Sequence, residues 1–131
     1  MPDTALGVMI APVRQVEGLV LGCLIDASTG MVLESVRPEE SLDVPVAAAG
    51  AVDLAGVISL MSAELAAEGG LEDVVVTLKG QYHLIRQVSP APRLTFLLLV
   101  VLDRPATNLA MALRQLRDLD LGFPAPPAPA V

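Results

Sequence analysis

Residues 94–102, Leu-Thr-Phe-Leu-Leu-Leu-Val-Val-Leu, form an almost unbroken apolar run closed by Asp103. A run of this length, rich in β-branched and large aliphatic side chains, reads as a strand. Apolar side chains on both of its faces cannot be left in water, so the strand belongs at the centre of a sheet. A second run, residues 18–26, Gly-Leu-Val-Leu-Gly-Cys-Leu-Ile-Asp, has the same character and is flanked by turn residues. Two such strands demand a sheet covered by other elements, and the rest of the chain has to supply the cover.

The remaining segments are ordered around these two. Ala27-Ser-Thr-Gly30 reads as a hairpin turn in which Gly30 takes the positive φ that such turns require, and residues 31–36 return as a strand ended by Arg37-Pro-Glu-Glu40. Before them, residues 5–16 are moderately apolar and contain Pro12, compatible with a short helix or an extra edge strand. A long helix is expected over residues 44–67, with Ser41 or Asp43 as N-cap, Pro45 in the first turn and Gly69-Gly70 as the stop. Residues 72–78 and 81–88 read as strands joined tightly through Lys79-Gly80, the second with Tyr82, Leu84 and Val88 on a face broken by Arg86. A loop is expected at residues 90–92, and Asp103 and Pro105 are expected to start a final helix with Leu109, Leu113 and Leu116 on one stripe. The predicted order is ββαβββα, an α+β fold with a five-stranded antiparallel sheet and helices packed on it. One domain is expected over residues 1–121, followed by a Pro/Ala-rich tail, 122–131, that is extended or disordered.

Composition removes several functions. The 131 residues allow one domain and are too few for a two-domain enzyme with an interdomain cleft. Net charge is −7, and the basic residues, seven Arg and one Lys, are scattered, which argues against nucleic acid and anionic lipid as partners. Aromatic residues are only Tyr82, Phe96 and Phe123, too few for base-stacking platforms or aromatic cages. Although 53% of residues are hydrophobic, no uninterrupted apolar run reaches the roughly 18–20 residues of a membrane span. The first residues, Met1-Pro-Asp-Thr4, lack the pattern of a secretory signal. A cytoplasmic protein without membrane insertion, free or held in an assembly, is therefore expected.

No residue pattern announces chemistry. With Cys23 and His83 the single members of their types, neither an internal disulfide nor a Cys/His zinc site can be built, and no cofactor is expected. Cys23 reads as a small buried hydrophobe. Dinucleotide, P-loop and nucleophile-elbow motifs are all missing from the sequence. Asp26 with Ser28 and Thr29 could suggest a metal loop, but the turn explains the same residues. His83 sits mid-strand, where a structural role is expected; an enzyme using His83 with Tyr82 has no support from neighbouring residues. The protein is not expected to be an enzyme.

The helix over 44–67 is instead unusual in being apolar on two sides. Projected at about 100° per residue, Leu54, Val57, Ile58, Met61 and Leu65 form a bulky stripe expected to face the sheet. Opposite lies a small-residue face of Ala48, Ala49, Val52, Gly56, Ser59, Ala63 and Ala67, with Asp53, Glu64 and Glu68 left for water. Small side chains let another helix approach closely, which points to the same helix across a two-fold axis and hence to a homodimer. If residues 72–78 are an edge strand, its unpaired backbone would join the same interface. The expected interface residues are Val52, Gly56, Ser59, Ala63, Val74, Val75 and Val76.

These patterns resemble the roadblock/dynein light chain family. The resemblance rests on Val16-Glu-Gly18 leading into the first strand, on the hairpin Asp26-Ala-Ser-Thr-Gly-Met-Val-Leu33, and on the Ala-rich helix that follows. It continues in Leu71-Glu-Asp-Val-Val-Val76 with Gly80-Gln-Tyr-His-Leu-Ile85, and in Asp103-Arg-Pro-Ala-Thr-Asn-Leu109. It spans about residues 13–119 and departs at the start, where family members often have a full first helix. The resemblance implies a bacterial, profilin-like, non-catalytic homodimer that binds a Ras-like small GTPase and modulates its activity or location. The alternative is a small-molecule sensor of profilin-like or PAS-like kind, with a ligand held between sheet and helices; sparse aromatic and buried polar groups count against it.

Overall fold

The structure, a computed structural model, describes residues 5–36, 41–66 and 69–119. The expected turn at 37–40, residues 67 and 68, and the tail at 122–131 lie outside the described residues. Five strands form one antiparallel sheet: β1 (Leu19–Asp26), β2 (Val32–Val36), β3 (Asp73–Thr77), β4 (Gln81–Ala91) and β5 (Leu94–Asp103), in the order β2-β1-β5-β4-β3. The two apolar strands β1 and β5 are neighbours at its centre, with Leu24 opposite Leu98 and Cys23 opposite Leu99. The edges are β2 and β3.

Alternation along the strands divides the core into two layers. On one face Leu24, Leu98, Val100 and Leu102 pack with α1 (Ala5–Ile10), a following 3-10 turn (Ala11–Gln15) and α3 (Leu109–Asp118). On the other face Leu21, Cys23, Ile25, Leu97, Leu99 and Val101 pack with α2 (Val44–Glu64). Burying a Leu of this size contributes about 1.5–3 kcal/mol, so β5 alone supplies much of the cohesion. The segment with two possible readings, 5–16, is helical. Its 3-10 turn presses on β1 so closely that a Cβ at Gly22 would sit 2.9 Å from Val13 Cγ1.

Several boundaries differ from expectation. The cap of α2 is one of the two expected, Asp43, whose Oδ1 accepts from Val46 N at 3.2 Å. The helix ends before the Gly pair, with Leu65 N bonded to Met61 O and Ala66 at φ 53°. Of the loop expected at 90–92, residues 90 and 91 belong instead to the end of β4, while Pro92 and Arg93, the latter at φ 65°, make the turn. Proline in a strand is confined to edges and irregularities, and the β4–β5 register shifts between Val88 and Ala91. The final helix does not start at Asp103: Arg104–Ala106 make a 3-10 turn, and Asn108 caps α3 by accepting from Met111 N at 3.2 Å. Around α3, Leu116 is buried and Leu109 and Leu113 half-buried, as their spacing predicts.

Candidate protein interface

The largest correction concerns which side of α2 meets the sheet. The buried residues are Ala48, Ala51 and Ala55, so small side chains seal the helix to the sheet, with Leu54 and Ile58 at the margin. Val57, Met61 and Leu65, expected on the sheet, face out. Together with Val46 and Leu60 they are between 51% and 77% exposed. The physical reason lies in the sheet: Leu97, Leu99, Val101 and Ile85 already fill the space beneath, and alanine allows the backbone to come close. Periodicity could not choose between two apolar sides.

By length and composition alone the 21 residues of α2 could cross a membrane, although no uninterrupted apolar run within it reaches span length. Asp53 and Glu64 are its charged residues.

Between α2 and the β3 edge lies an open, mainly apolar groove of about 350 Å³, lined by Ala47, Gly50, Leu54, Val76, Leu78 and His83 among others. The β3–β4 ladder places Val74 opposite Ile85 and Val76 opposite His83, on the α2 face of the sheet. Val75 stands opposite Leu84, on the other face, and is 39% exposed. The seven expected interface residues are thus only partly brought together. Val74 and Val76 approach α2. Val52, Gly56, Ser59 and Ala63 lie on the flank of α2 roughly half a turn from Gly50 and Leu54. A Cβ on Gly56 would meet nothing within 4 Å, so close approach within the chain does not explain this glycine.

The groups considered for chemistry are kept apart. His83 donates from Nε2 to Gln81 Oε1 at 2.9 Å, and burial lowers its pKa. Tyr82, its neighbour in β4, turns to the other face beneath the Arg104 guanidinium, 5.4 Å from the ring centroid. Burial pushes the Cys23 thiol up to about 11. Asp26 accepts from Ser28 N at 2.9 Å and from Ser28 Oγ at 2.7 Å, closing the hairpin turn; these bonds lower its pKa. Among the described residues no cluster of three or more His, Cys, Asp or Glu could hold a metal ion.

No protein-family profile and no curated protein matches the sequence. Solved structures do match the fold. A roadblock/LC7 domain from Streptomyces avermitilis aligns with a TM-score of 0.72 at 18% identity, over 92% of this chain and 94% of that one. The chain has the roadblock/LC7 fold. MglB from Myxococcus xanthus aligns with a TM-score of 0.68 at 12% identity, covering 88% of each chain. An MglB described with a tetrameric arrangement gives 0.69 at 17% identity, over 91% of this chain and 84% of that one. The roadblock/LC7 fold explains the ββαβββα order after a short first helix, and identities this low extend the likeness no further than the fold.

Sequence reasoning missed the groove and the outward side of α2. Gly50 and Leu54 share a side with Ala47 at helical spacing, but only the position of β3 shows what that side looks onto. His83 alternates with Leu84, a sign that it shares a face with Ile85.

Proposed function

We propose that this chain is a non-catalytic, cytoplasmic adaptor that works as a homodimer and regulates a Ras-like small GTPase. The observation that carries the self-association is α2 itself. A helix that is apolar on more than one side is ordinarily covered on more than one side. Here only Ala48, Ala51 and Ala55 are buried, while a row of large aliphatic residues faces out beside an unpaired strand edge. A two-fold axis sets one such surface against its equal and covers both exposures together. The contact centres on Val57, Leu60 and Met61, with Val74, Val75 and Val76 at the strand edge and Val52, Gly56, Ser59 and Ala63 at the far margin.

Lipid is the poorer cover for this helix. Crossing a bilayer would pull the three alanines off the sheet and uncover Cys23, Ile25, Leu97 and Leu99. The GTPase assignment rests on the family resemblance of the sequence, with the fold likeness to MglB beside it.

Two measurements test the reading. Sedimentation equilibrium is expected to give twice the chain mass, and the Leu60→Glu variant is expected to give one chain mass with an unchanged circular dichroism spectrum. Pull-downs against Ras-like GTPases loaded with GDP or GTP are expected to recover one nucleotide form. A monomer at every concentration would overturn the dimer, and recovery of neither form would overturn the GTPase assignment.

A further inference from the structure

We propose that His83 makes the covering of the α2–β3 groove by a second copy of the chain dependent on pH, the dimer forming with the neutral imidazole and releasing on mild acidification. This rests on the dimer reading above and adds its regulation. His83 is the one histidine of the chain, and histidine is the side chain that ordinarily changes charge between about pH 5 and 8.

The geometry makes the charged form unwelcome. From α2 the groove is lined by Ala47, Gly50 and Leu54, from β3 by Val76, and from β5 by Leu99, with Val101 as the ladder neighbour of His83. None of these is charged or titratable. The charged residues of the same elements are placed elsewhere: Asp53 and Glu64 on exposed positions of α2, Lys79 in the exposed β3–β4 turn, and Asp103 exposed at the end of β5. Asp73 of β3 lies on the opposite face of the sheet, bound to Arg86 and Arg117.

The hydrogen bond from His83 Nε2 to Gln81 Oε1 holds in both protonation states, which leaves Nδ1 as the atom that takes the proton. Burial within the single chain already disfavours the imidazolium. A second apolar surface laid over the groove desolvates the ring further, so the dimer binds protons less readily than the free chain. By linkage, association is full above the free-chain pKa of His83 and weakens as pH falls through it. With two imidazoles per dimer the weakening reaches at most roughly 100-fold in Kd per pH unit.

The test is sedimentation equilibrium at about pH 7.5 and about pH 5.5, on the wild-type chain and on His83→Gln, with circular dichroism to follow folding. A dimer Kd that rises at least tenfold on acidification in the wild type and stays flat in His83→Gln supports the proposal. The histidine ring proton signals give a second reading without substitution: the His83 pKa is expected to fall as protein concentration rises through Kd. A wild-type Kd that is flat or tightens with acid, a His83→Gln chain that weakens equally, or a concentration-independent His83 pKa overturns the proposal and leaves the dimer standing. A monomer at the higher pH overturns the dimer reading itself.

Discussion

Asp73 on β3 is tied to Arg117 on α3 by a contact of 3.3 Å, while its other carboxylate oxygen meets Arg86 of β4 at 3.4 Å. This carboxylate, 14% exposed, links the edge strand to the helix on the face away from α2. Replacing it with Asn would leave two guanidinium groups near each other without their shared anion.

Asp73→Asn is therefore expected to lower stability by about 1 kcal/mol, and Arg117→Ala by only a few tenths, because the Arg117 side chain is more than half exposed and screened. Urea unfolding of both variants checks this. Equal losses would mean that Arg86 contributes nothing to holding β3.

Ala51 should tolerate enlargement poorly. It is buried where α2 seals onto the sheet, and added methylenes there would lift the helix from Leu99 and Ile85. Ala51→Leu is expected to cost about 1–3 kcal/mol in unfolding free energy, as overpacked cores do. Leu60→Ala, on the outward side, is expected to leave the unfolding free energy of the dissociated chain nearly unchanged. Both are read from denaturant midpoints at protein concentrations low enough to dissociate any dimer.

The contrast between these two positions also shows where the sequence was legible. The apolar runs ending in Ile25 and Leu102 identified the two central strands because no solvent-facing arrangement suits them. Gly30 and the Lys79-Gly80 pair located the hairpins because their local chemistry is decisive. The orientation of α2 was not legible: Leu54, Val57 and Met61 looked like a core stripe, and only the filled sheet beneath Ala48, Ala51 and Ala55 reverses it. Pro90 and Arg93 hid the true β4–β5 turn, since a proline at a register shift and a non-glycine residue at positive φ both run against local preference. Within the expected interface, strand alternation puts Val74 and Val76 on the α2 face and Val75 on the other, so the three cannot share one face of the edge strand.

Gly56 separates stability from assembly. With nothing near a new Cβ, Gly56→Ala is expected to stabilise the single chain by about 0.5–1 kcal/mol through helix propensity alone. If its flank also meets a second copy at close range, Gly56→Leu should raise the dimer Kd while keeping the thermal stability of the single chain. Sedimentation and thermal melts of the same two variants give both numbers. A Gly56→Leu dimer as tight as wild type would place this flank outside the contact and confine the interface to the Leu60 side.

Cys23 should be chemically silent in the folded chain. Its thiol lies fully buried at the centre of β1 between the sheet and α2, and burial holds its pKa at about 11. The thiolate is the reactive form, so both access and ionisation are suppressed. Reaction with an aromatic disulfide reagent at about pH 8 is expected to be negligible in buffer and complete in denaturant. Because the folded pKa is raised, the thiol is stable as the protonated group below the ordinary thiol range, and the stability associated with it is lost as pH rises toward the folded value. Labelling in buffer at the rate of global unfolding would agree with this burial. Labelling far faster than unfolding would mean that α2 lifts from the sheet on its own, and that the alanine seal formed by Ala48, Ala51 and Ala55 opens without the rest of the fold.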